Sequence, residues 1–342
     1  MNIFDYTIAD LKEYMKSSGE KEYRAKQVYK HVYDGIPFEE MTDISKELRK
    51  KLSEDFEFSL PKIKKKLVSK LDGTRKYLFE MSDGAFAEGV VMEYRHGLSM
   101  CVSSQVGCRM GCAFCASTLH GLQRNLTAGE ISGQIMTAQR DLKRRISNIV
   151  MMGSGEPFDN FENVMKFIKI AVSPDGLGIG ARHITISTCG LTDGIYALAE
   201  SGIPVNLSIS LHAPNDKIRQ GIMPVARAVP VEKLIKAARD FFEKTKRRVT
   251  YEYALIDGVN DSDECARELA ALIGHDGTHV NLIPVNAVKE RNYKKSRSVE
   301  RFMKLLAKSN INATVRREMG ADISAACGQL RNENISGMGD EC

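Results

Sequence analysis

The sequence predicts an α/β fold. We expect an incomplete barrel of six strand–helix units, preceded by a small helical and β-hairpin module and followed by a strand that leads into a C-terminal loop. Two observations predict it. Six apolar, strand-like segments alternate with helical ones after about residue 95, which is typical of a parallel sheet covered by helices. Six units instead of eight indicate a barrel that stays open on one side for a large substrate.

The N-terminal module is predicted to span residues 1–95. Residues 8–55 have the apolar spacing of short amphipathic helices. From residue 62 to residue 92, apolar and polar side chains alternate, and the turn signals Asp72-Gly73 and Asp83-Gly84 interrupt the alternation. We therefore expect helices first and β-hairpins second.

The barrel is predicted to span residues 96–305, and its six strands are LSMCVSSQ, SNIVMMG, HITIST, PVNLSISL, VTYEYALI and THVNLIPV. Ligands bind such folds at the C-terminal ends of the strands, so the residues that follow each strand are site candidates. Residues 306–342 are predicted to add a last strand and a glycine-flanked loop that carries Cys327.

The composition excludes several classes of protein. No apolar run approaches the roughly 20 residues that cross a bilayer, and the first residues are too charged for a signal peptide, so we expect a cytoplasmic protein without a membrane partner. In that compartment the eight cysteines are expected to be ligands, catalysts or passengers rather than structural disulfides. The net charge is +5, and basic clusters at 62–66, 143–145, 244–248 and 289–301 suit a phosphate backbone, although each alone equally suits a solvated face.

Three cysteines lie within eight residues, as Cys108, Cys112 and Cys115 in CRMGCAFC. Three thiolates on a cubane iron–sulfur cluster leave one iron open to bind a second molecule and reduce it. Zinc is the alternative, because His120 would complete a Cys3His site, and unligated thiols are another. Structural zinc ligands usually come as two separated pairs, and no second pair follows here, so the spacing favours a [4Fe-4S] cluster.

A glycine-rich turn with a carboxylate, GSGEP at residues 153–157, follows the second predicted strand. An amino acid that chelates the open iron through its amino and carboxylate groups suits these two motifs, and S-adenosylmethionine (SAM) is such a ligand. The combination resembles the radical SAM enzymes. The resemblance makes the expected fold a partial (β/α)6 radical SAM barrel.

Six motifs in chain order narrow the resemblance: CVSSQVGCRMGCAFC, GLQRNLTAGEI, MMGSGEP, ISLHAPND, VNLIPVN and DISAACGQL. They resemble the RlmN/Cfr class of RNA adenine methyltransferases, and the N-terminal run EKEYRAKQVYKHVYDG resembles its C2-methylating branch. The resemblance implies methylation of adenine C2 in 23S rRNA and in tRNA. The C8-methylating antibiotic-resistance branch is the alternative. An iron–sulfur carrier or RNA-binding protein without enzyme activity is the rival from another class, and it would have no use for GSGEP.

The resemblance also implies how the catalytic residues divide the reaction. One SAM methylates Cys327, and a second SAM, cleaved at the cluster, yields a radical that removes a hydrogen from that S-methyl group. The methylene radical adds to the adenine, Glu88 is the proton acceptor, and Cys101 releases the product by forming a disulfide. By itself Cys327 suits an ordinary buried cysteine. Glu88 by itself suits a solvated strand residue, with Glu93 as a competing carboxylate.

The SAM contacts carried over by position all fall at predicted strand ends: Gly155, Glu156, Ser187, Ser210, Leu211, His212 and Asn286. Three further cysteines match no role and are expected to be passengers: Cys189, Cys265 and Cys342. The resemblance implies 23S rRNA and tRNA as partners and a flavodoxin or ferredoxin as electron donor. We expect a monomer, although the sequence leaves the oligomeric state open.

Overall fold

The structure, a computed structural model, describes residues 1–274, 278–285 and 293–323. Its strands are β1 Lys62–Val68, β2 Arg75–Glu80, β3 Phe86–Tyr94, β4 Gly97–Cys101, β5 Gln105–Gly107, β6 Leu122–Asn125, β7 Ile146–Met151, β8 Ile184–Thr188, β9 Asn206–Ser210, β10 Val249–Leu255, β11 His279–Pro284 and β12 Asn312–Val315. Its helices are α1 Ile8–Ser17, α2 Tyr23–Asp34, α3 Lys46–Asp55, α4 Ala128–Leu142, α5 Phe161–Val172, α6 Thr192–Glu200, α7 Asp216–Ile222, α8 Val231–Thr245, α9 Asp263–Ile273 and α10 Val299–Lys308.

One ten-stranded sheet organises the described residues, in the order β1-β2-β3-β4-β7-β8-β9-β10-β11-β12. From β4 to β12 every neighbouring pair is parallel. Helices connect these strands as six strand–helix units, and β12 is the last strand. The predicted partial barrel is therefore confirmed, and among the described strands β1 and β12 remain as edges instead of pairing to close it.

The barrel strands separate apolar from polar side chains by alternation. In β9, Leu207 and Ile209 belong to the main hydrophobic core, whereas Ser208 and Ser210 occupy the opposite face. In β10, Tyr251 is a core residue and the adjacent Glu252 lies on the other face, where it lines a cavity. One face of the sheet thus packs against helices, and the other gives the barrel a polar interior.

The N-terminal hairpins extend the barrel sheet. Strands β1, β2 and β3 are antiparallel to one another, and β3 pairs antiparallel with β4. The helices α1 to α3 instead share a separate core that includes Phe4, Leu11, Val28 and Leu48. The predicted boundary at residue 95 falls in the β3–β4 turn. The division into 1–95, 96–305 and 306–342 stays a prediction.

Residues that follow β12 contact the turn between β1 and β2. The Asp322 carboxylate accepts hydrogen bonds from Ser69 Oγ at 2.6 Å and from the Lys70 N–H at 2.9 Å. Asp72 Oδ2 accepts the Gly320 N–H at 2.9 Å. We call these three bonds the Asp72–Asp322 clasp; it joins the segment that precedes Cys327 to the edge hairpin of the sheet.

In the part of the chain that the structure describes, no helix is both long and apolar enough to cross a membrane.

Candidate active site

The loop between β5 and β6 carries the three clustered cysteines. Its ends are held together, since the Cys108 N–H donates to the Gly121 carbonyl at 3.0 Å. The Thr118 hydroxyl donates to the carbonyls of Cys112 at 3.2 Å and Cys115 at 2.9 Å. These bonds involve backbone groups of the cysteines, and all three cysteines line one cavity.

Burial and mutual proximity dominate the chemistry of these thiols. The pKa of Cys108 is raised to about 12, mainly by burial and in smaller part by the neighbouring Cys115. Burial likewise raises the pKa of Cys112, followed by the effects of Cys115 and Cys108. Cys108 and Cys112 therefore hold their protons unless positive charge replaces those protons. This donor set fits the iron of a cluster.

The zinc alternative finds no support in the described residues. A mononuclear zinc site needs its ligand atoms within about 2.0–2.3 Å of one ion, and no three His, Cys, Asp or Glu side chains in the described ranges form such a group. His120, its proposed fourth ligand, is exposed. A cubane differs, because each thiolate binds a separate iron.

The GSGEP turn requires its glycines. Gly155 has φ +106°, and a Cβ added there would lie 2.6 Å from Gln105 Cβ. A Cβ on Gly153 would lie 2.6 Å from the Val102 carbonyl oxygen. The turn therefore packs directly on the segment that leads to the cysteine loop, and both glycines line the cavity.

Glu156 joins the ends of two barrel strands. It is 3% exposed, and its carboxylate accepts the Phe158 N–H at 3.1 Å and the Cys189 N–H at 2.7 Å. Its own N–H donates to Gln105 Oε1 at 2.8 Å. Burial raises the pKa of Glu156, and the hydrogen bonds from Cys189 oppose that rise. The carboxylate thus holds the residue after β8 against the turn after β7.

Some of the strand-end residues predicted to contact SAM lie together at the cavity. Ser187 and Ser210 line the cavity, with their hydroxyl oxygens 3.5 Å apart. Leu211 is fully buried in the main core, so only its backbone can serve a ligand. Asn286 lies outside the described residues.

His212 is a neutral hydrogen-bond donor. Its Nδ1 accepts the Ala254 N–H at 2.9 Å, which places the ring proton on Nε2. The pKa of His212 is lowered to about 3, mainly by burial and in smaller part by the charge of Arg219. The residue has φ +56° and its ring meets Phe114 edge to face at 4.9 Å. His212 therefore both makes a structural hydrogen bond and lines the cavity.

The cavity has a volume of about 280 Å3, and sequence reasoning missed part of its wall. Cys189, expected to be a passenger, lines it, as do Glu252 and Arg316. The Glu252 carboxylate accepts Ser208 Oγ and Asn281 Nδ2, each at 2.8 Å. Burial raises the Glu252 pKa. Alternation in the strand YEYAL was the available signal, since it places Glu252 opposite the core tyrosines.

Glu88 and Cys101 lie on the same face of neighbouring strands. Val90 pairs with Cys101 across β3 and β4, and Glu88 is two residues before Val90. Cys101 is 3% exposed and packs in a cluster with Val90, Met92 and Met152. Met152 also lines the cavity, so Cys101 lies beside the cavity wall.

The alternative interpretation of Glu88, a solvated strand residue, is wrong, because its side chain is 1% exposed and lies 3.2 Å from Lys76 Nζ. The competing carboxylate, Glu93, is exposed and accepts two hydrogen bonds from Arg144 at 2.8 and 3.0 Å. Cys327, the predicted methyl carrier, lies outside the described residues.

Comparisons with known proteins agree with this site. A family model described as the radical SAM superfamily matches residues 102–270, and one described as a ribosomal RNA large subunit methyltransferase N-terminal domain matches residues 1–58. Two relatives carry the name "Probable dual-specificity RNA methyltransferase RlmN". The one from Alkaliphilus oremlandii is 53% identical and the one from Clostridium novyi 50%, each over 98% of both chains. The chain belongs to the RlmN family.

A solved structure extends the similarity to the fold. The crystal structure of a radical SAM methyltransferase from Sphaerobacter thermophilus is 43% identical, with a TM-score of 0.90 over 96% of this chain and 98% of that one. In this RlmN-family chain the N-terminal match ends just after α3. The superfamily match begins just after β4, so β1 to β4 lie between the two matches.

Proposed function

We propose that this RlmN-family protein is a radical SAM methyltransferase that methylates C2 of an adenine in 23S rRNA and in tRNA. The observation that carries the proposal is convergence: three thiols, the GSGEP turn and the ends of β8 and β9 share one cavity. Glu88 and Cys101 lie on the same face of the neighbouring strands β3 and β4. The names of the relatives support RNA as the substrate class.

Cys108, Cys112 and Cys115 would hold a [4Fe-4S] cluster, which supplies the electron that cleaves SAM into methionine and a 5'-deoxyadenosyl radical. Around the SAM site, this chain supplies hydrogen-bond donors and acceptors. The His212 Nε2–H donates, and the Ser187 and Ser210 hydroxyls both donate and accept. Gly155, Glu156, the Leu211 backbone and Asn286 complete the proposed SAM contacts.

Two cysteines outside the triad would direct the radical to RNA. The Cys327 thiolate takes a methyl group from a first SAM by displacement, and a second SAM is the source of the radical that removes a hydrogen from that methyl group. The Cys327 methylene radical bonds to the adenine carbon, and the resulting adduct radical would give its ring proton to Glu88 and return one electron to the oxidised cluster. Attack of the Cys101 thiol on the Cys327 sulfur then forms a disulfide, and the released carbon takes up a proton to become the methyl group. Each turnover therefore uses two SAM molecules and ends with a disulfide to be reduced.

Glu88 is the proposed proton acceptor for the ring proton of the tethered adenine. Its burial excludes water from the carboxylate, and the Lys76 ammonium lies 3.2 Å from it. Its strand neighbour Val90 pairs with Cys101, so the acceptor and the resolving thiol come from adjacent strands.

The RNA must present an unstacked adenine to reach the cavity. The edge strand β1 carries four exposed lysines that suit backbone phosphates: Lys62, Lys64, Lys65 and Lys66. We propose that the protein acts as a monomer in the cytoplasm, where its RNA substrates are, with a flavodoxin or ferredoxin as electron donor.

The test is an anaerobic assay of the reconstituted protein with 23S rRNA and tRNA in turn, followed by mass spectrometry of the digested RNA. We expect 2-methyladenosine from both RNAs with the wild type and none with Cys327→Ala. A methyl group on C8 would establish the antibiotic-resistance chemistry instead. Methyladenosine from Cys327→Ala at the normal rate would refute the mechanism.

A further inference from the structure

Arg219, in helix α7, is a charged side chain with no exposed surface. Its guanidinium donates to the carbonyls of Cys189 at 2.6 Å, Leu211 at 3.0 Å, Ser210 at 3.3 Å and Val229 at 3.4 Å. Each described hydrogen bond of this group thus goes to a main-chain carbonyl. Asp216, which acts on it electrostatically, uses one carboxylate oxygen to accept the Val231 N–H at 2.8 Å.

Three of those carbonyls lie at the proposed SAM site. Cys189 follows β8, Ser210 ends β9, and Leu211 follows it. The Cys189 N–H donates to the Glu156 carboxylate at 2.7 Å. Glu156 thus binds the N–H of Cys189 while Arg219 binds its carbonyl. Main-chain groups beyond the end of a strand have no ladder partner, and a planar guanidinium with five donors can bind several of them at once.

The same helix also contacts the cysteine loop. The Ile222 carbonyl at the end of α7 accepts the Ala113 N–H at 2.8 Å, and Ala113 follows Cys112 directly. The positive charge of Arg219 also lowers the pKa of His212, in addition to the larger effect of burial. Helix α7 therefore connects the cysteine loop, through Ile222, with the strand ends that Arg219 binds.

We propose that Arg219 is a positioning residue that fixes the ends of β8 and β9 for SAM and places a buried positive charge near the cysteine triad. The inference rests on the proposed radical SAM function. A nearby positive charge stabilises an added electron, so Arg219 raises the reduction potential of the cluster. Lysine cannot replace the geometric part of this role, because one ammonium does not reproduce the planar fork.

The experiment compares anaerobically reconstituted wild type with Arg219→Gln, Arg219→Lys and the control Arg227→Gln, which removes an exposed arginine from the adjoining turn. SAM affinity is measured by calorimetry and the midpoint potential by redox titration followed by electron paramagnetic resonance. Arg219→Gln should bind SAM about tenfold more weakly, from the loss of charge-assisted hydrogen bonds, and its potential should fall. Arg219→Lys should keep the potential and lose affinity. The control should match wild type in both.

Wild-type affinity and potential in Arg219→Gln would overturn the proposal. If Arg219→Gln does not assemble a cluster, the test rests on Arg219→Lys. Wild-type SAM affinity in Arg219→Lys would also overturn the proposal. Neither measurement requires RNA. A wild type that binds SAM but never methylates RNA would therefore refute the proposed function without touching the role of Arg219.

Discussion

The ammonium of Lys76 lies 3.2 Å from the carboxylate of Glu88, and both side chains are 1% exposed. Lys76→Met would leave a carboxylate buried without its cation, and removal of one partner of a buried pair destabilises proteins by about 3–5 kcal/mol. We expect a loss of that order in the free energy of unfolding, measured by urea denaturation. Lys76→Met combined with Glu88→Leu should lose less than the single variant.

The control for this prediction is the more exposed pair Lys64–Glu80 on the same hairpin, whose charged atoms are 3.9 Å apart and whose side chains are 44% and 33% exposed. Lys64→Met should change stability by no more than about 1 kcal/mol. Equal losses from Lys76→Met and Lys64→Met would show that burial of the Glu88 pair is energetically irrelevant.

The cysteine triad should hold iron without help from Cys189. Cys108→Ala, Cys112→Ala and Cys115→Ala should each lose the visible absorption and bound iron of the reconstituted cluster, because a cubane with two protein thiolates is poorly held. Cys189→Ala should retain both, and Cys265→Ala, in the helix-side core, is the matched control. If Cys189→Ala lost iron as completely as Cys112→Ala, Cys189 would be a ligand and the triad incomplete.

Gly155→Ala should abolish SAM binding. At φ +106° an alanine is strained, and its Cβ would lie 2.6 Å from Gln105 Cβ, so the turn must move out of the cavity wall. Gly221→Ala in helix α7 is the control, because φ there is ordinary and nothing lies within 4 Å of the added Cβ. Equilibrium dialysis with SAM checks both, and undiminished binding by Gly155→Ala would contradict the assigned turn.

His212 should make stability depend on pH. Its pKa is about 3 in the fold and about 6.5 when unfolded, so below pH 6.5 the unfolded chain binds a proton that the native protein excludes. Stability conferred by the neutral ring is present above that pH and falls by about 1.4 kcal/mol per pH unit as the pH decreases toward 3. His212→Asn retains a side-chain acceptor and tolerates φ +56°. Denaturation curves from pH 7 to 4 should show the wild type losing stability relative to His212→Asn; parallel curves would contradict this.

Local patterns predicted much of the fold and site. Alternation in segments such as HITIST and PVNLSISL predicted parallel strands, and the structure confirms them as β8 and β9. The cysteine triad and GSGEP are each a short local motif that follows a predicted strand. Their meeting in one cavity could therefore be predicted from the rule that ligands bind at strand ends. The seventh parallel strand, β12, was also anticipated within residues 306–342.

Long-range partners could not be predicted in the same way. Arg219 occupies the run NDKIRQGI, where a charged residue on a short helix ordinarily suggests a solvated face, and its burial depends on how α7 meets β8 and β9. Lys76 occurs in an ordinary alternating strand, and only the register of β2 against β3 brings it to Glu88. Each of these contacts is set by packing between elements, for which no local signature exists.

The Asp72–Asp322 clasp joins residues that are synthesised far apart in time, since Ser69 and Asp322 are separated by 253 positions. The described strands and all three cluster cysteines precede Gly320, so a nascent chain can assemble the cavity before it contains Cys327. A premature stop before Gly320 would preserve the proposed radical-generating half of the enzyme and remove the thiol that uses the radical. Such a truncated protein would consume SAM and reductant without modifying RNA.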